Sequence, residues 1–323
     1  MATWRYIGKK LLAAFLTFLF VIVMNFFLFR ILPGDPVKTL GRNQKLSAAD
    51  MELLRQELSL DKPLPEQFVN SIGTTLRLQF GTSYITAQPV IREIGNRIWP
   101  TILLVGTATF FATVIGIWMG FKGAWRRGSR FDKGQLGFSL VFYSAPEGWL
   151  GMLLVLLFAV QWQVFPISGY MTAGSEATGL AHVLDVLNHL FLPCLALTLG
   201  YLGEYSVLAR AALLEEKSQD YIITARAKGL RDKEVRKKHA RPNAMLPIVT
   251  LVVLYVGYII GGAVVIEYVF SWPGLGKYTV QAIEANDYPA IQGIFFVVSA
   301  SVILFNLIAE LMYLYLDPRV KEV

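Results

Sequence analysis

Apolar positions collect in six runs, and each is long enough to cross a bilayer, which takes roughly 20 helical residues. They cover about Leu11–Leu32, Ile98–Phe121, Leu136–Trp162, Asn188–Leu208, Ala244–Ile266 and Pro289–Leu316. The pattern predicts an all-α integral membrane protein with six transmembrane helices. Pro146 and Glu147 interrupt the third run, Glu204 the fourth and Glu310 the sixth, whereas the fifth carries no charge. The first follows Arg5, Lys9 and Lys10, as a signal peptide would. Its apolar part is too long for a cleaved segment and no small-residue cleavage site follows, so it is expected to stay as an anchor.

The polar stretches set the expected topology. Lys and Arg gather at the N-terminus, in the loop after the second run (Lys122, Arg126, Arg127, Arg130, Lys133), between Arg210 and Arg241, and in the tail at Arg319 and Lys321. Residues 163–187 have no Lys or Arg, and residues 267–288 have only Lys277. The basic loops mark the cytoplasmic side, so both termini are expected there. Residues 33–97 carry eight basic and seven acidic residues and are expected outside as a small subdomain. Within it, "SAADMELLRQELSL" has Ser47 as an N-cap, Asp50 three residues on, and recurring apolar residues Met51, Leu53, Leu54, Leu58 and Leu60. The expected organisation is 1–32 N-terminus and first helix, 33–97 external subdomain, 98–316 five-helix core with a cytoplasmic loop at 210–243, and 317–323 tail.

Composition agrees: 54% of the 323 residues are hydrophobic and 16% charged, against about 25% charged in soluble domains. The net charge of +7 follows from the basic loops, so nucleic acid is not an expected partner. Cys194 is the single cysteine, which excludes an internal disulfide framework. The three histidines, His182, His189 and His239, are too scattered to suggest a metal site. No G-x-x-x-x-G-K-[ST], H-E-x-x-H or G-x-S-x-G occurs.

Carboxylates in spans usually face the bundle interior or water. Glu147, after Pro146 and before Gly148, is expected either at a pore-facing bend or in a wet break between two shorter segments. Glu204 and Glu310 fit interface or snorkelling positions, with a place on a substrate path as the other reading. Arg30 most simply snorkels. "GIWMG" (Gly116, Gly120) and "GYIIG" (Gly257, Gly261) are small-x-x-x-small patterns that allow close helix packing, within the subunit or against another.

One segment is unlike the rest. "DYIITARAKGLRDKEVRKKHARPN", Asp220 to Asn243, carries eight Lys or Arg residues. It reads as a short helix capped by Ser218, kept thin by Ala225 and Ala227, turned at Gly229, with a second helix starting near Asp232. A headgroup anchor needs no such elbow, whereas a thin-sided helix with a Gly elbow suits docking into a protein groove.

This segment resembles the EAA loop of ABC importer permeases. Ile223, Thr224 and Ala225 stand at the E-A-A positions and Gly229 at the Gly; His239, Arg241 and Pro242 fall at the I, L and P positions, so the hydrophobic pair is replaced and the Pro kept. That departure is similar to the dipeptide/oligopeptide/nickel branch, as are "TARAKGL", His239, Asn243–Ala244 and Leu246–Pro247. "RILPGDPV", "LDKPLPEQF", "FGTSY", "EYVFSWPGLG", "DYPAIQG" and "DPRV" follow in the order expected for a B-type permease of that branch.

The resemblance implies a type I ABC importer permease fold with six transmembrane helices and an external loop subdomain between the first two. It implies coupling to a cytoplasmic ATPase through Tyr221, Thr224, Ala225, Arg226, Ala227, Lys228, Gly229 and Leu230, with Ala225 and Gly229 allowing close approach. It implies a translocation path touching Pro146, Glu147 and Glu204. Docking of an external substrate-binding protein would involve Trp272, Pro273, Gly274 and Gly276, for which a turn that only packs is the other reading. The implied partners are a second, C-type permease, two ATPase subunits, the binding protein and membrane lipid. No cofactor is expected on this chain, since ATP and Mg would sit on the ATPases. The expected location is a prokaryotic plasma membrane. Peptide, nickel, haem, glutathione and oligosaccharide remain open as substrates. An intramembrane enzyme using the carboxylates and an ATPase-independent channel are the rival readings.

Overall fold

The computed structural model describes residues 2–31, 47, 51–52, 55 and 61–316. Among these the chain is helical, with one isolated bridge between Thr82 and Pro89. Helices answer the chemistry of a bilayer, where no water is present to satisfy backbone N–H and C=O groups. Five helices are long and apolar enough to cross, and a bent pair makes six if it counts as one span.

The elements run α1 (Ala2–Ile31), α2 (Leu64–Leu76), α3 (Val90–Trp125), α4 (Arg130–Ser144), α5 (Glu147–Leu154) with a π-helical continuation (Val155–Gln161), and α6 (Leu180–Lys217). Next come α7 (Asp220–Ala227), α8 (Asp232–Glu234) leading through a π-helical stretch (Val235–Ala240) into α9 (Arg241–Ile259), α10 (Val264–Val269), α11 (Leu275–Glu284) and α12 (Tyr288–Leu316).

Several bounds differ from the sequence expectation. Helix α3 starts at Val90, inside the stretch expected as external subdomain, because Val90 and Ile94 are buried with Phe80, Leu275 and Ile291. The third run is no straight span: α4 and α5 meet at 100°, broken at Pro146, which caps α5. Pro146 disfavours helical geometry at Ala145 before it, and Ala145 is extended at ψ 132. The fifth run ends early, at Ile259. Gly262, at φ +75, turns the chain into α10, so Gly261 lies in the turn and only Gly257 of "GYIIG" packs within a helix. A Cβ at Gly257 would lie 2.8 Å from Phe305 Cβ on α12. Of the helix expected at Ser47, most residues lie outside those described, as do "RILPGDPV" from Leu32 onward and "DPRV"; Met51 N–H does donate to the Ser47 carbonyl at 3.0 Å.

The most extensive helix contact joins α3 to α6. "GIWMG" makes it possible, since Gly116 faces Tyr205 and Leu202 while Gly120 faces Ser206, Ala209 and Arg210. Helix α4 packs against both α6 and α3 and is tied to α6 by Asp132. Its carboxylate takes a fork from Arg210 at 2.7 and 3.0 Å and an N–H from Gly128 at 2.9 Å. Helix α1 runs antiparallel to α12, with Phe18 on Phe296 (5.6 Å between centroids) and Lys10 paired to Glu310 at 2.8 Å. Glu310 is thus an interhelix ion-pair position.

Candidate functional site

The basic segment folds as a helical elbow seated on the ends of the long helices. Gln219, not Ser218, is the N-cap residue of α7; the Ser218 hydroxyl instead donates to the Glu215 carbonyl at 2.7 Å and closes α6. Ile222 and Ala225, three apart, share one face of α7. Both are buried in an apolar cluster with Phe121 and Ala124 of α3, Leu213 of α6, and Val235. Ala225 is therefore turned toward its own chain, which corrects the expectation that it lies on the docking surface. The outward face carries Ile223, Thr224, Arg226, Ala227, Lys228 and Gly229, all exposed, with Tyr221 and Leu230 half-buried at its edges.

The elbow is a Schellman turn. Gly229 sits at φ +81; its N–H reaches the Arg226 carbonyl at 2.9 Å, and the Leu230 N–H reaches that of Ala225 at 3.3 Å. Beyond the turn, Trp125 Nε1 donates to Asp232 at 2.7 Å, and Arg226 lies 3.6 Å from the same carboxylate. Lys217 caps the end of α3 through the carbonyls of Ala124 (3.1 Å) and Trp125 (3.2 Å). Tyr221 bonds Glu216 and accepts from Asn243 at 2.8 Å. These contacts join α7 and its elbow to α3, α6 and α9.

The expected path residues come together elsewhere. Pro146 and Glu147 begin α5. A methyl group at Gly200 of α6 would stand 3.8 Å from Glu147 Cγ. Glu204, one turn along α6 from Gly200, accepts from the Tyr255 hydroxyl of α9.

The segment expected to dock an external protein is mostly interior. Trp272 is fully buried, with Nε1 on the Pro100 carbonyl at 2.8 Å and its ring on Tyr170 at 4.9 Å. Gly274 and Gly276 are buried against the Glu267 carboxylate, so only Pro273 is exposed. The turn packs because it wraps Glu267, whose oxygens accept from Thr101 Oγ1 (2.9 Å) and the Lys277 N–H (3.1 Å). Burial nevertheless pushes this carboxyl above the ordinary range. Asp287 is a second such hub and joins "FGTSY" to "DYPAIQG". It accepts from Ser83 Oγ (2.5 Å), the Tyr84 N–H (2.9 Å) and the Ala290 N–H (3.2 Å). Sequence reasoning singled out neither carboxylate. Among the described residues no group of three or more His, Cys, Asp or Glu could hold a metal ion.

Residues 112–322 match the family described as binding-protein-dependent transport system inner membrane component, and residues 3–105 match its N-terminal region. The dipeptide transport system permease protein DppB of Escherichia coli K12 is 34% identical over 98% of this chain and 99% of its own. The glutathione transport system permease protein GsiC of Pectobacterium atrosepticum is 35% identical over the same shares. The chain belongs to the binding-protein-dependent permeases of ABC importers.

A chain from inward-facing structures of the MetNI methionine ABC transporter shares the fold, with TM-score 0.53 and 17% identity over 70% of this permease and 97% of that chain. The EAA loop is a feature of this family, and α7 with its Gly229 elbow is where the permease carries the matching sequence. Ile223, which the sequence reading placed at an E-A-A position but not among the coupling residues, lies on the outward face of α7. It is a large apolar side chain, 59% exposed, at a polar end of the molecule.

Proposed function

We propose that this permease moves short peptides inward, driven by ATPases that engage α7. The observation carrying this reading is the exposed face of α7, rigidly seated through Ile222 and Ala225 on α3 and α6. Ile223 supplies an apolar knob, Arg226 and Lys228 polar contacts, and Gly229 room for close approach. ATP binding would close two ATPase subunits and draw this elbow toward that of a second, C-type permease. The helices fused to it would then tilt from inward- to outward-facing. ATP and Mg belong to those subunits, and this chain performs no catalysis. Peptide cargo is supported by the names of the dipeptide and glutathione relatives. Both termini and α7 face the cytoplasm, by the Lys/Arg bias of the loops. Pro273 and the residues before α3 face the external binding protein, and Pro146, Glu147 and Glu204 border the path.

The test is the complete transporter in proteoliposomes, with ATP hydrolysis and peptide uptake measured together. Gly229→Val forces a β-branched residue into left-handed geometry, at about 1–2 kcal/mol of local strain. It should leave the complex assembled but uncouple hydrolysis from uptake. Uptake at the normal rate would show that coupling runs elsewhere.

A further inference from the structure

Two carboxylates within the helical bundle lack a counter-charge. Among the described residues neither Glu147 nor Glu204 forms an ion pair, in contrast to Glu93, Asp132 and Glu310. Both are only partly exposed. They converge from different elements, with Glu147 lying over Gly200 and Glu204 one turn further along the same face of α6. Tyr255 of α9 donates its hydroxyl to Glu204, and its ring centroid stands 5.8 Å from that of Tyr201. Tyr201 directly follows Gly200 on α6. Three helices thus bring two carboxyl groups and two aromatic rings to one place.

Aromatic faces attract cations and add to the pull of a carboxylate. An unpaired anion in a bilayer is costly unless something compensates it. The occupant that fits is a cation small enough to pass between helices. We infer that Glu147 and Glu204, with Tyr201 and Tyr255, hold the ammonium group of a peptide during its passage. This rests on the reading of the chain as a peptide permease. Dipeptides and glutathione alike carry a primary ammonium, so one site serves cargoes that otherwise differ.

A purely structural role would be different. If the Glu204–Tyr255 bond only ties α6 to α9, a glutamine at 204 still offers a carbonyl acceptor and transport survives. The experiment is uptake of labelled dialanine by proteoliposomes holding the whole transporter, with binding protein outside and ATP inside. Glu204→Gln should lower maximal uptake about 10-fold or more, the factor lost with one charge-assisted hydrogen bond. Binding-protein-stimulated ATP hydrolysis should continue. Glu204→Asp, which keeps the charge, should recover most of the uptake. If Glu204→Gln does not assemble with its partners, Glu147→Gln carries the same expectation. Wild-type uptake with a variant indistinguishable from it overturns this inference and leaves the peptide reading standing. Wild-type vesicles that take up no dialanine overturn both.

Discussion

Replacing Gly120 with alanine adds a single methyl group at the seam between α3 and α6. That carbon would stand 2.8 Å from Ala209 Cβ and 2.9 Å from the Arg210 nitrogen, and also against the Ser206 carbonyl oxygen. Carbon atoms rest roughly 3.5–4.0 Å apart, so the helices must separate by about 1 Å. None of the three obstacles can swing aside, because two are backbone atoms and the third is a Cβ. Overpacking of this kind costs about 1–3 kcal/mol. Alanine gains about 1 kcal/mol over glycine as a helix former, which opposes it. In a membrane, where helix association depends on close packing, the steric side wins and a net loss of about 1–2 kcal/mol is expected. Gly134→Ala is the control, since that glycine is exposed on α4 and nothing lies within 4 Å of its added Cβ. There only the propensity gain of up to about 1 kcal/mol remains. The seven tryptophans allow thermal unfolding in mild detergent to be followed by intrinsic fluorescence. Gly120→Ala should melt about 2–6 °C lower than wild type, and Gly134→Ala at or slightly above it. If Gly120→Ala melts at or above wild type, the α3–α6 seam is not packed as described.

Arg210→Met would strand the buried Asp132 carboxylate, at about 3 kcal/mol. Adding Asp132→Asn should recover part of that loss, readable in the same melts. For Glu267 the prediction concerns pH. Burial raises its folded pKa, so the fold favours the protonated form; its contribution is complete below the ordinary carboxylate range and is lost as pH rises through the raised value. Glu267→Gln should therefore flatten the decline of melting temperature on the alkaline side of that range, and an unchanged slope would remove Glu267 as its source. Ile223→Asp should weaken co-purification with the ATPase while leaving the melting temperature of the isolated permease within about 2 °C, as expected of an exposed site.

Much of the fold was legible because its signals are local. Long apolar runs gave the spans, "GIWMG" a packing seam, Pro146 a break and Gly229 a turn, each decided by a few neighbouring residues. The buried hubs were not legible. Glu267 meets Thr101 across 166 positions and Asp287 meets Ser83 across 204, and no periodicity reports such a pairing. In the sequence each looks like an ordinary loop charge, and "SWPGLG" looks like a presented surface rather than a wrapping around Glu267. Ala225 was misplaced for a related reason. An eight-residue helix has too few apolar positions to reveal which face is covered, and the ends of α3 and α6 decide it. Helix ends erred in the same way: tertiary contacts at Val90 and Ile94 lengthen α3, while Gly262 cuts the fifth run short.

The most direct measurement is crosslinking from α7 in native membranes. A photoreactive amino acid at Ile223, or at Lys228, is irradiated in the assembled transporter and the adducts are identified by mass spectrometry. Coupling through this helix requires the main adduct to be a P-loop ATPase subunit, with none from the same probe at Gly134. A complex that co-purifies intact yet yields no ATPase adduct from either α7 position would contradict it.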